Sequence, residues 1–228
     1  MTNFLLTVNN LHVRINGTVI IREFNAKLTS GSLIAVTGPN GIGKSTLLNN
    51  LSGITLQTPN IVFWCNDDVF TMPINVRACR IASVAQYDSA DLETVVSDRI
   101  AHGLYARNIF RRLTADENSD RIFRIATNLG IHELLSRQLH TLSGGQRKKV
   151  HIARCLVDSD ADVYILDEPD ASLDANSRIQ VMQLLRAIAR SNKLVIVSLH
   201  HRELAIDFAD EIIDLGQTCA FTKRPGSC

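Results

Sequence analysis

The spacing of hydrophobic and polar residues changes along the chain, and each change predicts a different kind of element. Residues 5–13 and 19–28 partly alternate on either side of an Asn16-Gly17 turn, which is typical of two extended strands. Four short apolar runs indicate buried strands, at residues 33–37, 81–85, 163–166 and 194–199. The first third of the chain is therefore expected to be mostly β-structure.

Between and after these runs, the apolar residues recur at intervals typical of helices. A helix is predicted to begin at Lys44 and run to Leu51, directly after the first apolar run. Residues 94–139 carry apolar side chains at helical intervals with charges between them, and residues 175–189 form a helix between two buried strands. This β-α-β alternation predicts a mainly parallel sheet.

Composition narrows the class of protein. The 228 residues are 45% hydrophobic and 21% charged with a net charge of +1, which indicates a globular domain rather than a disordered or nucleic-acid-binding chain. No apolar run approaches the roughly 20 residues that cross a bilayer, and the N-terminus lacks a secretory signal. We therefore expect the chain to stay in the cytoplasm. The five cysteines form no CxxC pair and are expected to be reduced thiols.

A glycine-rich loop follows the buried strand at 33–37 and precedes the first helix. It reads Gly38-Pro39-Asn40-Gly41-Ile42-Gly43-Lys44-Ser45-Thr46. Such a loop turns backbone N–H groups and the positive end of a helix onto phosphate oxygens. Lys44 is expected to reach the β- and γ-phosphates of a nucleotide, and Ser45 to ligate Mg²⁺.

Two further motifs follow in a fixed order. Leu142-Ser143-Gly144-Gly145-Gln146 precedes the apolar strand 163–166, which ends at Asp167-Glu168. With the phosphate loop, this order resembles the ATP-binding subunit of ABC (ATP-binding cassette) transporters, over about residues 5–215. The resemblance implies an α/β fold of the P-loop NTPase class. It further implies a mainly parallel sheet core, with an antiparallel β subdomain, in residues 1–86 and 141–228, and a helical subdomain in residues 87–140.

The resemblance also assigns catalytic roles. It implies that Glu168 is the general base for the attacking water, and that Asp167 and Gln86 join Ser45 around Mg²⁺. His200 resembles the histidine that contacts the γ-phosphate. His201 is the alternative, because His201-Arg202 resembles a pair found in many exporters, although the length of the strand favours His200.

The pentapeptide and the resemblance that it carries also imply which partners the chain has. In the family, residues matching Ser143, Gly144 and Gly145 close over ATP held by a second subunit, which implies a homodimer with ATP at its two-fold interface. A separate integral membrane permease is implied as well, contacted by Gln86 and the helical region. The chain would then lie peripherally on the cytoplasmic face of the inner membrane, and no direct contact with nucleic acid is expected.

Two single residues depart from the pattern of the family, and one basic run needs an interpretation of its own. Ile15 stands where family members usually carry an aromatic residue that stacks on adenine. Asp170 replaces a more common threonine, which we interpret as tolerated surface variation. The basic run Arg147-Lys148-Lys149 predicts a solvated helix face.

The sequence thus predicts an ATPase subunit of a transporter, and the separate ATPase chain favours a bacterial importer. The preferred cargo is a metal chelate or a similar small molecule. Two alternatives stay open, namely a subunit of an exporter and a soluble ABC ATPase without a permease.

Overall fold

Two β-sheets and the helices around them make up the described part of the chain. The structure is a computed structural model and describes residues 4–55, 58–84, 92–105, 114–216 and 220–223. Within these residues, no helix combines the length and apolar character needed to span a membrane.

The first sheet is antiparallel and has the strand order β2-β1-β4-β5. Its strands are β1 (Phe4–Ile15), β2 (Thr18–Thr29), β4 (Val62–Trp64) and β5 (Asp67–Asp68). Asn16 and Gly17 join β1 to β2 with φ values of 48° and 79°. Two positive φ angles are what a tight hairpin turn requires, so the Asn-Gly signal correctly placed the turn.

The second sheet has the order β10-β9-β3-β8-β7-β6 and is parallel except where β10 pairs with β9. Its strands are β3 (Leu33–Thr37), β6 (Ile81–Val84), β7 (Val163–Leu166), β8 (Leu194–Ser198), β9 (Glu211–Asp214) and β10 (Ala220–Lys223). All four predicted apolar runs form strands of this sheet. The mainly parallel sheet is therefore confirmed.

Helices lie on both sides of the second sheet. They are α1 (Lys44–Leu51), α2 (Ile74–Arg80), α3 (Val96–Ala101), α4 (Ala115–Asn128), α5 (Gly144–Leu156), α6 (Ala175–Arg190) and α7 (Arg202–Phe208). Thr114, Ser143 and Asp174 each accept a hydrogen bond from the backbone N–H three residues later. These N-caps satisfy otherwise unpaired donors and so fix where α4, α5 and α6 begin.

The core explains why the strands of the second sheet are apolar without interruption. Along β3, Leu33 and Ala35 pack into one hydrophobic cluster, whereas Ile34 and Val36 pack into another. The first cluster includes residues of α5 and α6, and the second includes α1 and the antiparallel sheet, in which Trp64 is 1% exposed. Because both faces are covered, binding groups collect at the carboxyl edge of the parallel strands.

Candidate active site

A cavity of about 390 Å³ lies at the carboxyl edge of the second sheet. It is lined by residues from four separate parts of the sequence, namely Ile15, Asn40, Gly41, Gly43, Lys44, Ser45, Thr46, Glu168 and His200. The end of β1, the glycine-rich loop and the ends of β7 and β8 thus meet at one place. The fold brings together most of the residues that the sequence selected.

The glycine-rich loop has the backbone of a phosphate cradle. Gly38, Gly41 and Gly43 take φ values of 145°, 78° and 105°, which side-chain-bearing residues rarely adopt. Lys44 begins α1 and is almost fully buried, and its Nζ donates hydrogen bonds to the carbonyl oxygens of Gly38 (2.9 Å) and Pro39 (3.2 Å). A buried ammonium group at a helix N-terminus makes this loop a strong anion-binding site.

Ile20 was missed by the sequence analysis. A Cβ atom built on Gly43 would lie 2.2 Å from Ile20 Cδ1 and 4.0 Å from Ile15 Cδ1. Two aliphatic side chains therefore close over the loop at the end of the first hairpin. No local signal marks Ile20, because its approach to the loop depends on how the hairpin packs against α1.

The acidic pair at the end of β7 is held by β8. Ser198 Oγ accepts a hydrogen bond from the Glu168 N–H (2.8 Å) and donates one to Asp167 Oδ1. Asp167 is 5% exposed, and Glu168 has a φ of 47°, in the left-handed region that disfavours residues with a side chain. The hydrogen bond to the Glu168 N–H fixes this unusual backbone and leaves its side chain at the cavity.

The two adjacent histidines have different surroundings. His200 lines the cavity, whereas His201 Nδ1 lies 2.7 Å from Asp170 Oδ2. Asp170 is only 1% exposed, so the interpretation of this residue as surface variation was wrong. A carboxylate can be buried here because the imidazole and the His201 backbone N–H (3.4 Å) face it.

The pentapeptide lies at the start of α5 and does not line the cavity. Ser143 Oγ accepts from the Gln146 N–H (3.2 Å) and the Ser143 N–H donates to Gln146 Oε1 (2.9 Å), which is a capping box. Gly144 faces open space, whereas a Cβ on Gly145 would lie 3.0 Å from the carbonyl oxygen of Ser172. The N-terminus of α5 is therefore an exposed, anion-favouring surface without a phosphate loop of its own beside it.

Two residues of the basic run after the pentapeptide, Arg147 and Lys148, are bonded within the subunit, which corrects the expectation of a solvated face for them. Arg147 donates to the Leu142 carbonyl oxygen (2.7 Å), and Lys148 Nζ donates to that of Asp167 (3.3 Å). Burial lowers the pKa of Lys148, against the opposing effects of Asp167, Glu168 and Asp170. Lys148 thus links α5 to the acidic turn within one subunit.

The remaining predicted residues do not line the cavity or lie outside the described residues. Gly38, Pro39 and Ile42 belong to the glycine-rich loop but do not line the cavity, and Ile42 packs against the hydrophobic core. Gln86 lies outside the described residues, so its predicted place beside Mg²⁺ is untested.

Comparison with known proteins identifies the family. The model of the family described as "ABC transporter" matches residues 21–171. The cobalamin import ATP-binding protein BtuD of Halobacterium salinarum is 34% identical over 209 residues, 91% of this chain and 52% of that protein. The phosphonates import ATP-binding protein PhnC 2 of Oceanobacillus iheyensis is 32% identical over 221 residues, 92% of this chain and 86% of that protein. The chain spans about half the length of the cobalamin relative.

A solved structure shows the same fold. The ATP-binding cassette MJ0796, a dimer in a post-hydrolysis state bound to ADP and Pi, superposes with a TM-score of 0.84 at 20% identity. The match covers 97% of this chain and all of that one. This confirms the P-loop NTPase architecture with its parallel core and antiparallel sheet. The chain therefore belongs to the ABC transporter family.

Proposed function

We propose that the chain binds and hydrolyses ATP at the cavity beside the glycine-rich loop. The observation that carries this proposal is the convergence of Lys44, Glu168 and His200 on one cavity at the carboxyl edge of the sheet. Lys44 and the loop amides bind the phosphates, and Glu168 accepts the proton of the attacking water. A general base of this kind contributes a factor of about 10²–10⁴ in rate.

The residues at the cavity fit Mg²⁺ as well. Ser45 lines the cavity, and Asp167 is a buried carboxylate next to Glu168, which also lines it, so both offer the hard oxygen ligands that Mg²⁺ prefers. Ser45 and Asp167 would hold the ion, with Gln86 as a third candidate ligand. When bound, Mg²⁺ neutralises the negative charge that the phosphates share with Asp167 and Glu168.

His200 is the residue that we assign to the γ-phosphate. His200 lines the cavity with the loop and the base, whereas the ring of His201 is turned toward Asp170. An imidazole N–H at this position can donate to a phosphate oxygen and stabilise charge that develops during transfer.

We infer that two copies complete each site. The surface formed by Ser143, Gly144 and Gly145 is exposed at a helix N-terminus but does not line the cavity of its own subunit. A second copy related by a two-fold axis can place this surface over the phosphates, and the second site then follows by symmetry. The dimeric state of the similar cassette MJ0796 supports this arrangement.

A membrane permease is the proposed partner of a second surface. A groove of about 480 Å³ separates α2 from the turn after α3, and Ile74 and Tyr105 at its rim are 75% and 70% exposed. Burial of such apolar side chains is favourable, and it is achieved when a partner helix docks. Ser83 lines this groove, a few residues before the chain passes from the proposed core (1–86 and 141–228) into the proposed helical subdomain (87–140).

The transport direction that we propose is import. The similar proteins are named as cobalamin and phosphonates import ATP-binding proteins, which favours an importer of small anionic or metal-chelate cargo. The chain would act on the cytoplasmic face of the membrane, bound to its permease. An exporter subunit and a soluble ATPase are the alternatives.

Co-purification from membranes tests the partner. We expect tagged protein, extracted in mild detergent, to recover a polytopic membrane protein, and Tyr105→Glu to abolish the recovery. Ile206→Glu is the matched control, because Ile206 is 55% exposed on α7 and does not line the groove. Recovery of soluble proteins alone would refute the transport function.

A further inference from the structure

Asp170 is a buried carboxylate in the turn that follows Glu168. It is 1% exposed, and its Oδ2 atom lies 2.7 Å from Nδ1 of His201. Among the described residues, no hydrogen-bond donor meets its other oxygen, Oδ1. A carboxylate taken out of water is costly unless it is paired, so this interaction must be maintained for the turn to keep its conformation.

The hydrogen bond to Asp170 fixes the imidazole of His201. An ionised carboxylate only accepts, so this hydrogen bond requires a proton on Nδ1 of His201, and it fixes the direction of the ring. The His201 ring packs edge-to-face against the His200 ring, with centroids 5.4 Å apart and planes at 61°. One side of His200 is therefore set by a ring that Asp170 holds in place.

Residues on both sides of His200 connect β8 to the turn after β7. Ser198, two residues before His200, hydrogen bonds to Asp167 and to the Glu168 N–H. His201, the next residue, hydrogen bonds to Asp170 through its ring and its backbone N–H. His200 is thus held between two connections to the turn that carries the proposed base.

We propose that Asp170 and His201 are a positioning pair, which orients His200 relative to Glu168 and to the γ-phosphate. Neither residue lines the cavity, so neither is assigned a contact with ATP. The proposal rests on the role of His200 proposed above. Misplacement of a reacting group by about 1 Å can cost about 100-fold in rate, so a fixed imidazole has a clear advantage.

A positioning role and a purely structural role make different predictions for the kinetics. If the pair only stabilises the fold, substitutions change the midpoint of thermal unfolding while the folded enzyme keeps its kcat. If the pair orients His200, kcat falls while KM for ATP stays the same, because the glycine-rich loop is intact. The effects of the two substitutions on kcat should also not multiply in the double variant, since each substitution removes the same interaction.

Four variants test the pair by steady-state hydrolysis of MgATP at a temperature where all are folded by circular dichroism. Asp170→Ala and His201→Ala are expected to lower kcat by about 10- to 100-fold at unchanged KM. Asp170→Asn keeps an acceptor for the Nδ1 proton and should recover most of the kcat lost in Asp170→Ala. Asp170→Ala/His201→Ala leaves no unpaired buried charge and should be no slower than the slower single variant.

Glu203→Ala is the matched control, because Glu203 is an exposed acidic residue on α7 and should leave kcat unchanged. Wild-type kcat in folded Asp170→Ala, or in the double variant, would overturn the proposal. A loss of kcat in the double variant equal to the product of the two single losses would also overturn the proposal. Absence of ATP hydrolysis in the wild-type protein would instead refute the proposed function, so the two failures are distinguishable.

Discussion

The hydroxyl of Ser198 accepts a hydrogen bond from the backbone N–H of Glu168 at 2.8 Å. The same hydroxyl donates to the carboxylate of Asp167, so one fully buried oxygen joins the ends of β7 and β8. Glu168 is held at a φ of 47° by this interaction. The position of the proposed base therefore depends on a serine that the sequence pattern marked only as part of the buried strand at 194–199.

Ser198→Ala should be strongly destabilising for its size. It leaves a partly buried N–H and a buried carboxylate oxygen without this partner, which costs about 1–3 kcal/mol in the free energy of unfolding. Urea denaturation followed by circular dichroism measures the loss. Thr127→Ala is the control, because Thr127 Oγ1 donates to the Phe123 carbonyl at an exposed site. If Ser198→Ala lowered the free energy of unfolding no more than Thr127→Ala does, the assigned hydrogen bonds of Ser198 to Asp167 and Glu168 would be contradicted.

Ser143 and Thr114 form an internal comparison, because each starts a helix through a capping box. Ser143→Ala and Thr114→Ala should each lower the free energy of unfolding by about 1 kcal/mol. Only Ser143→Ala should also lower the rate of ATP hydrolysis, since only α5 is proposed to face the nucleotide of a second copy. Equal effects of the two variants on hydrolysis would mean that Ser143 acts through stability alone.

Ile15→Tyr should tighten ATP binding. Ile15 lies at the cavity, and an aromatic ring there gains about 0.5–1.5 kcal/mol beyond burial, or up to about tenfold in Kd. Isothermal titration calorimetry with MgATP measures the change. Inorganic tripolyphosphate is the control ligand, because it has no base to stack and its Kd should not change. An unchanged Kd for ATP would place adenine away from Ile15.

His200→Ala and His201→Ala should differ in the size of their effects. Loss of a preorganised donor to developing charge costs about 10²–10³ in kcat, which we expect for His200→Ala. The loss for His201→Ala should be smaller, because this residue acts through His200. Steady-state hydrolysis of MgATP measures both. A larger loss for His201→Ala would reverse the assignment of the two histidines.

Much of the fold could be predicted from the sequence, because many helices and strands are specified by residues that are neighbours in the sequence. The helix beginning at Lys44 follows from a buried strand and a glycine-rich loop that directly precede it in the sequence. The predicted helix at 175–189 was found at Ala175–Arg190 for a similar reason. Such elements carry their own start and stop signals.

The residues that were missed or misjudged depend on packing between distant segments. Asp170, in place of a more common threonine, was interpreted as surface variation, but His201, 31 positions later, makes its burial possible. Lys148 was assigned to solvent, yet it meets the Asp167 carbonyl across two elements. Ile20 reaches Gly43 only after the hairpin folds onto α1. The position of Asp170, two residues after Glu168, was a hint available in the sequence.

The composite site is the central claim, and Glu168→Gln tests it most directly. This variant keeps the glycine-rich loop but has a poor base, so it should bind MgATP and lose most turnover, by about 10²–10⁴-fold. ATP that is bound but not hydrolysed should hold two copies together. Sedimentation velocity should therefore show a dimer of Glu168→Gln in MgATP and a monomer in MgADP. A variant that binds ATP fully yet remains a monomer, or that hydrolyses at the wild-type rate, would contradict the account.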